Sequence, residues 1–181
     1  MTAILVVCTG NICRSPACEL LMQQYLGDVA RTRSAGTGAT TGLGISEPMG
    51  ELLSADGLDP SAHKARQLTP SLSRRADIIV AMSASDRAAI VRSETSVIAR
   101  ALLFTEIVAA AEARAPLAGS TRKERIAGIP AAIIAFRPEL SGLACGDVPD
   151  PFGLDLEAYS EAYTTIKEGV VAIDRWVTQG T

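Results

Sequence analysis

The stretch Ala3-Ile4-Leu5-Val6-Val7-Cys8-Thr9-Gly10-Asn11-Ile12-Cys13-Arg14-Ser15-Pro16 decides the fold. Its first half is a nearly continuous apolar run, the pattern of a strand buried on both faces of a parallel sheet. The run stops in a Thr-Gly-Asn turn, and Ser15-Pro16 then opens a helical pattern. Five residues separate Cys8 from Arg14. A loop of that length can curl until its backbone N–H groups point inward, forming an anion nest closed by a helix N-terminus. Arg14 adds a planar fork that matches two oxygens of a phosphate. At the floor of the nest, those dipoles and the guanidinium are expected to lower the pKa of the Cys8 thiol. A thiolate beneath a bound phosphate is placed for in-line attack on phosphorus. A Cys and an Arg at this spacing also arise by chance, and a Cys after a strand is often inert core. The strand before, the Gly-Asn turn within and the Ser-Pro helix start are what point to a site.

The chain has 181 residues, 48% of them apolar. That favours a single domain over 1–181, burying roughly 70% of the surface its unfolded chain exposes. A net charge of −3 leaves no basic excess for nucleic acid or an anionic membrane. The N-terminal apolar run is too short for a signal peptide, and no stretch reaches the ~20 apolar residues that span a bilayer. The expectation is a cytoplasmic protein with Cys8, Cys13, Cys18 and Cys145 reduced. No C-x-x-C pair is present, so no metal site is expected.

Along the chain, a strand over about 3–8 leads into a helix from Ser15 to Leu26, stopped by Gly27-Asp28. A second strand over 29–35 precedes a loop, 36–44, with four glycines. Glu47 to Ala55 reads as a helix ended by Asp56-Gly57, and 76–82 as a third strand. Ser85 is expected to cap a helix over 86–91, and Val97 to Phe104 to form a fourth strand. A long amphipathic helix follows over 156–177, with Tyr159, Tyr163, Ile166, Val170, Ile173 and Val177 on one face. Alternating strands and helices predict an α/β fold with a parallel sheet, its ligand beyond the carboxyl end of the first strand. Residues 105–147 read as a helical insertion, broken at Pro130, that packs on the surface, caps the pocket or offers a partner surface.

Cleaving a phosphate ester also needs an acid for the departing oxygen. Asp150 is the candidate, held between Pro149 and Pro151, which stiffen the backbone around it. An ordinary Asp-Pro turn is the alternative use of that dipeptide. Asp147 is the nearby competitor for that role, but it precedes Val148 rather than a proline.

Val7 to Pro16 resembles the signature loop of the low-molecular-weight protein tyrosine phosphatases. Further similarities follow in order: Ser34-Ala35-Gly36-Thr37, His63-Lys64-Ala65-Arg66-Gln67, Ala76-Asp77 with Ile78-Ile79-Val80, and Asp150-Pro151-Phe152-Gly153. The resemblance implies a flavodoxin-like three-layer fold, a four-stranded parallel sheet flanked by helices, and hydrolysis of phosphotyrosine in proteins without a cofactor. It implies Cys8 as nucleophile, Arg14 as phosphate ligand and Asp150 as general acid and base. Thr9, Gly10, Asn11, Ile12, Cys13 and Ser15 would complete the phosphate-binding loop. Ser15 would donate to the thiolate, with Ser34 and His63 supporting Asn11 and Ser15 from behind. Cys13 would trap an oxidised Cys8 as a disulfide, a redox switch.

The departures bear on substrate. Ala39-Thr40-Thr41-Gly42 stands where several relatives carry a large aromatic, so Thr40, Thr41 and Phe152 are the candidate pocket walls. Ser83 follows Met82 where relatives often have Asp. The arginine-phosphatase branch resembles the same loop with Thr in place of Ile12, so an apolar Ile12 favours phosphotyrosine. Two other readings stay open. An arsenate reductase on this scaffold needs further cysteines, of which Cys145 is the only one past Cys18. A non-enzymatic phosphate-binding module is the other.

Overall fold

Six of the seven residues of β1 (Thr2–Cys8) are buried, with only Ala3 half-buried. The strand therefore sits inside a sheet covered on both sides. The computed structural model describes residues 1–140 and 145–180. β2 (Ala30–Gly36), β3 (Ile78–Ala81) and β4 (Ala101–Leu103) complete a four-stranded parallel sheet of order β2-β1-β3-β4. Cys8 pairs with Gly36 at one side, and Ile4 with Ile78 at the other. The chain leaves β1 to one side and returns on the other, so the carboxyl end of β1 lies at the topological switch, where ligands of such sheets bind.

The two faces of β1 feed two cores. Ile4, Val6 and Cys8 join a cluster with residues of α1 (Arg14–Leu26), α2 (Glu47–Ala55), α5 (Phe104–Glu112), α6 (Arg122–Leu140) and α7 (Leu156–Gln179). Leu5 and Val7 join the other cluster, with Leu72 of α3 (Pro70–Arg75) and Ile90 of α4 (Ala84–Ser93). Helix, sheet and helix make the three layers.

Several local expectations are corrected. α4 is capped by Ser83, whose hydroxyl accepts from the Asp86 amide, rather than by Ser85. The fourth strand is only three residues long, because Thr95–Arg100 form a 3-10 turn whose start is bonded to the Glu94 carboxylate. Phe104 opens α5, where Glu106 accepts from the Leu103 amide. Pro130 does not break α6, which runs through both Pro130 and Pro138. Ile126, Ile129 and Ile133 recur on its buried face, and that packing outweighs the ~3 kcal/mol local cost of an internal proline. Nor are the described residues of 105–147 a surface addition. Phe104, Ile107 and Ala110 of α5 belong to the main core, and among the described residues none of 105–147 lines the cavity at Cys8.

Candidate active site

The peptide planes after β1 are set by what their carbonyls bind. Cys8 O accepts from Thr37 N at 3.0 Å, Thr9 O from Gly38 N at 3.0 Å and Gly10 O from Thr40 N at 3.1 Å. Asn11 O meets His63 Nε2 at 2.8 Å, and Ile12 O accepts from Ser46 N at 2.8 Å. Carbonyl and following N–H oppose each other across a planar trans peptide, so carbonyls drawn outward turn the next five amides inward. The Asn11 amide accordingly points at Cys8 Sγ, 3.3 Å away. Among the described residues, the amides of Gly10, Ile12 and Cys13 have no protein acceptor. Asn11 makes the sharp turn with φ 57°, a left-handed conformation that Asn tolerates. A carbonyl only accepts, so His63 carries its proton on Nε2 and serves the loop rather than the thiol.

The Asn11 side chain fixes the polarity of the bonds behind the sulfur. Its Oδ1 accepts from the Arg66 amide at 2.9 Å, which leaves Nδ2 to donate to Ser15 Oγ and Ser34 Oγ, both at 2.9 Å. Ser34 passes its own proton to Glu19 Oε2 at 2.6 Å. Ser15 is left with a hydrogen directed at Cys8 Sγ, 2.9 Å away. In the sequence Arg66 has no role beyond its place in the His63–Gln67 match, and Glu19 and Asp86 are not singled out. The buried Asp86 carboxylate accepts from Thr9 Oγ1 at 3.1 Å, Thr37 Oγ1 at 3.3 Å and Ser83 Oγ at 2.6 Å. The Ser83-x-x-Asp86 capping pattern was its only signal.

Opposite the loop, Asp150 Oδ2 meets Arg14 Nη2 at 2.6 Å, and Arg14 Nη1 donates to Val148 O at 3.2 Å. Arg14 Nε is buried without a partner among the described residues, a donor free for an anion. Cys8 departs from expectation. Burial, the largest influence, pushes its thiol up, against the pull of the Ser15 hydroxyl and amide, the Asn11 amide and lastly Arg14. Arg14, paired with Asp150 at 2.6 Å, is the last of these influences. Burial likewise pushes the Cys13 thiol up, against its hydrogen bonds with Ser46 and Tyr159.

Cys8, Thr9, Gly10, Ile12, Cys13, Arg14, Gly38, Thr40, Asp150 and Phe152 line one cavity of about 230 Å³. Thr41, expected there, is exposed and outside it, because the chain turns away after Thr40. Asp147 also lies outside the cavity and accepts from Ala84 N at 2.7 Å. Cys145 is half-buried against the core and does not line the cavity. No group of three or more His, Cys, Asp or Glu residues among those described is placed to hold a metal. No described helix is long and apolar enough to cross a membrane.

Comparison with known proteins matches residues 3–127 to the family model for low molecular weight phosphotyrosine protein phosphatase. A relative from Ralstonia nicotianae, the probable low molecular weight protein-tyrosine-phosphatase EpsP, is 33% identical over 96% of this chain and 92% of its own. Among solved structures, Vibrio vulnificus Wzb in complex with benzylphosphonate superposes with a TM-score of 0.71 at 25% identity. That likeness covers 96% of this chain and 97% of the other. The YwlE arginine phosphatase from Geobacillus stearothermophilus shares the fold, with a TM-score of 0.74 at 23% identity over 97% of this chain and 92% of that one. The matched span includes the whole loop from Cys8 to Ser15 and the residues that brace it from behind, and the chain belongs to the low-molecular-weight protein tyrosine phosphatases, a family of hydrolases.

Proposed function

We propose that the protein hydrolyses phosphotyrosine in proteins through a phosphocysteine on Cys8. The observation that carries this reading is the meeting, in one cavity, of Cys8 Sγ, inward amides, Arg14 and Asp150. In the first step Cys8, its proton lost to water, attacks as the thiolate and bonds to phosphorus as the ester P–O bond breaks. Asp150 gives its proton to the departing phenolic oxygen. Loop amides and Arg14 stabilise the equatorial oxygens, charge held by preorganised dipoles. In the second step Asp150 takes a proton from water as its oxygen attacks phosphorus, returning the thiolate and releasing phosphate. Ser15 Oγ lies 2.9 Å from Cys8 Sγ and, accepting from Asn11 Nδ2, keeps its own hydrogen for the thiolate. Cys13 lines the same cavity, and by the family resemblance its thiol would attack a peroxide-formed sulfenic acid on Cys8, forming a disulfide and releasing water.

The walls support the choice of substrate. Ile12, Thr40 and Phe152 border the cavity, giving an aromatic ring apolar contact and offering a guanidinium no carboxylate besides Asp150. Cys145 lies outside the cavity, so no observation favours arsenate reduction. The test is hydrolysis of a phosphotyrosine peptide and of p-nitrophenyl phosphate by wild type and Cys8→Ser. Turnover of both, lost in the variant, is the expected result, with phosphoarginine peptide a poorer substrate. Retained turnover in Cys8→Ser overturns the mechanism.

A further inference from the structure

We infer that Asp147 is a positioning residue for Asp150, fixing the acid loop to the N-terminus of α4. This rests on the reading of Asp150 as the general acid. The segment before Asp150 is tied down at three successive residues. Thr105 Oγ1 donates to Gly146 O at 2.7 Å, Asp147 Oδ1 accepts from Ala84 N at 2.7 Å, and Val148 N donates to Met82 O at 2.9 Å. Met82 N itself donates to Val7 O at 2.9 Å, so this chain of bonds begins one residue before the nucleophile.

Two of the three ties have evident structural reasons. The Val148 bond satisfies the backbone of a residue only 1% exposed, and the Thr105 bond joins two neighbouring surface segments. The Asp147 bond differs. Ser83 already caps α4 through the Asp86 amide, and the exposed Asp147 supplies a second, non-local cap at the Ala84 amide. A carboxylate there is held by the partial positive charge of the helix end as well as by the hydrogen bond.

The stiffness of Pro149 and Pro151 then matters. With φ fixed at residues 149 and 151, two of the dihedrals that could absorb a displacement at residue 147 are frozen, and more of it reaches the carboxyl. At the far end, Asp150 Oδ1 accepts from Phe152 N at 3.3 Å, which links the carboxyl to the same rigid turn. Misplacing a catalytic group by about 1 Å can cost ~100-fold. Asp147 therefore acts on the proton delivered to the leaving oxygen, and not on the attack by sulfur.

That distinction supplies the test. Loss of acid catalysis weighs most on esters whose leaving group needs the proton, so kcat/KM is measured for phenyl phosphate and p-nitrophenyl phosphate. Asp147→Ala is expected to lose about tenfold or more on phenyl phosphate and less than about threefold on p-nitrophenyl phosphate. Asp147→Asn keeps an oxygen that accepts from Ala84 N and is expected to retain most activity on both. Ala84→Pro removes the donor instead. Proline is tolerated at the first helical position, Ala84 is exposed, and Ser83 is already extended (φ −144°, ψ 162°), so this variant keeps the fold. It should reproduce the Asp147→Ala pattern, with no further loss in the double variant. Equal losses on both substrates, or Asp147→Asn as impaired as Asp147→Ala, overturn the inference. Asp150→Ala in the same series separates the two layers of the argument. If it discriminates between the esters and Asp147→Ala does not, positioning by Asp147 is wrong. If Asp150→Ala itself shows no discrimination, the acid assignment fails and the inference falls with it.

Discussion

Arg14 and Asp150 are paired, and that pairing has a cost for phosphate binding. A phosphate taking the Arg14 fork must displace a carboxylate 2.6 Å away. Charge-assisted bonds of this kind contribute ~1.5–3 kcal/mol, reduced here because the Asp150 side chain is 49% exposed and regains water when released. About 1 kcal/mol, or roughly fivefold in Kd, remains. Asp150→Ala should therefore bind inorganic phosphate more tightly than wild type while losing turnover, as read by calorimetry at fixed pH and ionic strength. Equal or weaker binding would mean the pair does not restrain Arg14. At this scale the sequence was legible where function is local. Cys8, Asn11, Arg14 and Ser15 lie within eight consecutive residues; the parts of Cys8 and Arg14 follow from strand, turn and helix start, and those of Asn11 and Ser15 came with the family resemblance. Glu19 and Asp86 were not legible, since each reaches the loop through hydroxyls contributed by distant segments, Ser34 for one and Thr9 and Thr37 for the other. Nor was the upward push on the Cys8 thiol, which depends on burial and on where Arg14 spends its charge.

The loop keeps its shape because two neighbouring segments run beside it without side chains intervening. Gly36 ends β2 opposite Cys8, and a Cβ there would lie 2.5 Å from Thr9 O and 3.0 Å from Ala39 Cα. Both neighbours are backbone, so neither can swing away. Gly36→Ala should displace the loop, costing about 1–3 kcal/mol of stability and weakening phosphate binding at least tenfold. Urea unfolding and phosphate titration read the two effects separately, and an unchanged affinity would show that the loop is not confined by β2. Elements with a clean period and stop signals were legible, as in α2, where Asp56-Gly57 follows the last helical residue. β4 was not, because its apolar residues continue into α5 and only pairing with β3 decides where the strand stops. Continuity of α6 through Pro130 was illegible for a related reason: local cost was visible, while the core contacts that offset it were not.

Across the whole molecule, the acid loop hangs between the α4 anchor and α7, whose N-terminus is capped by Asp155 accepting from Ala158 N at 3.0 Å. α7 is in turn tied to α2 by Asp56, which accepts from Tyr163 Oη and pairs with Lys167 Nζ, residues four apart on one helix face. Lys167 and Tyr163 hold the Asp56 carboxyl below its ordinary range, while Asp56 raises Lys167 and adds to the burial that raises Tyr163. A carboxyl depressed in the folded state contributes stability above its unfolded pKa, ~3.9, and loses it as pH falls through the lower folded value. Lys167 and Tyr163, raised on folding, contribute below their unfolded values near ~10 and lose that contribution as pH climbs through the folded ones. The triad should therefore help evenly from about pH 5 to pH 9 and weaken on either side. The check is the difference in unfolding free energy between wild type and Asp56→Asn, measured in urea from pH 2 to 8. It should be flat above pH 5 and shrink below pH 4, where Asp56 protonates and the two proteins come to resemble each other. A difference independent of pH would show that the triad joins α2 to α7 by shape alone, and that its charge does not stabilise the helix against which the acid loop is set.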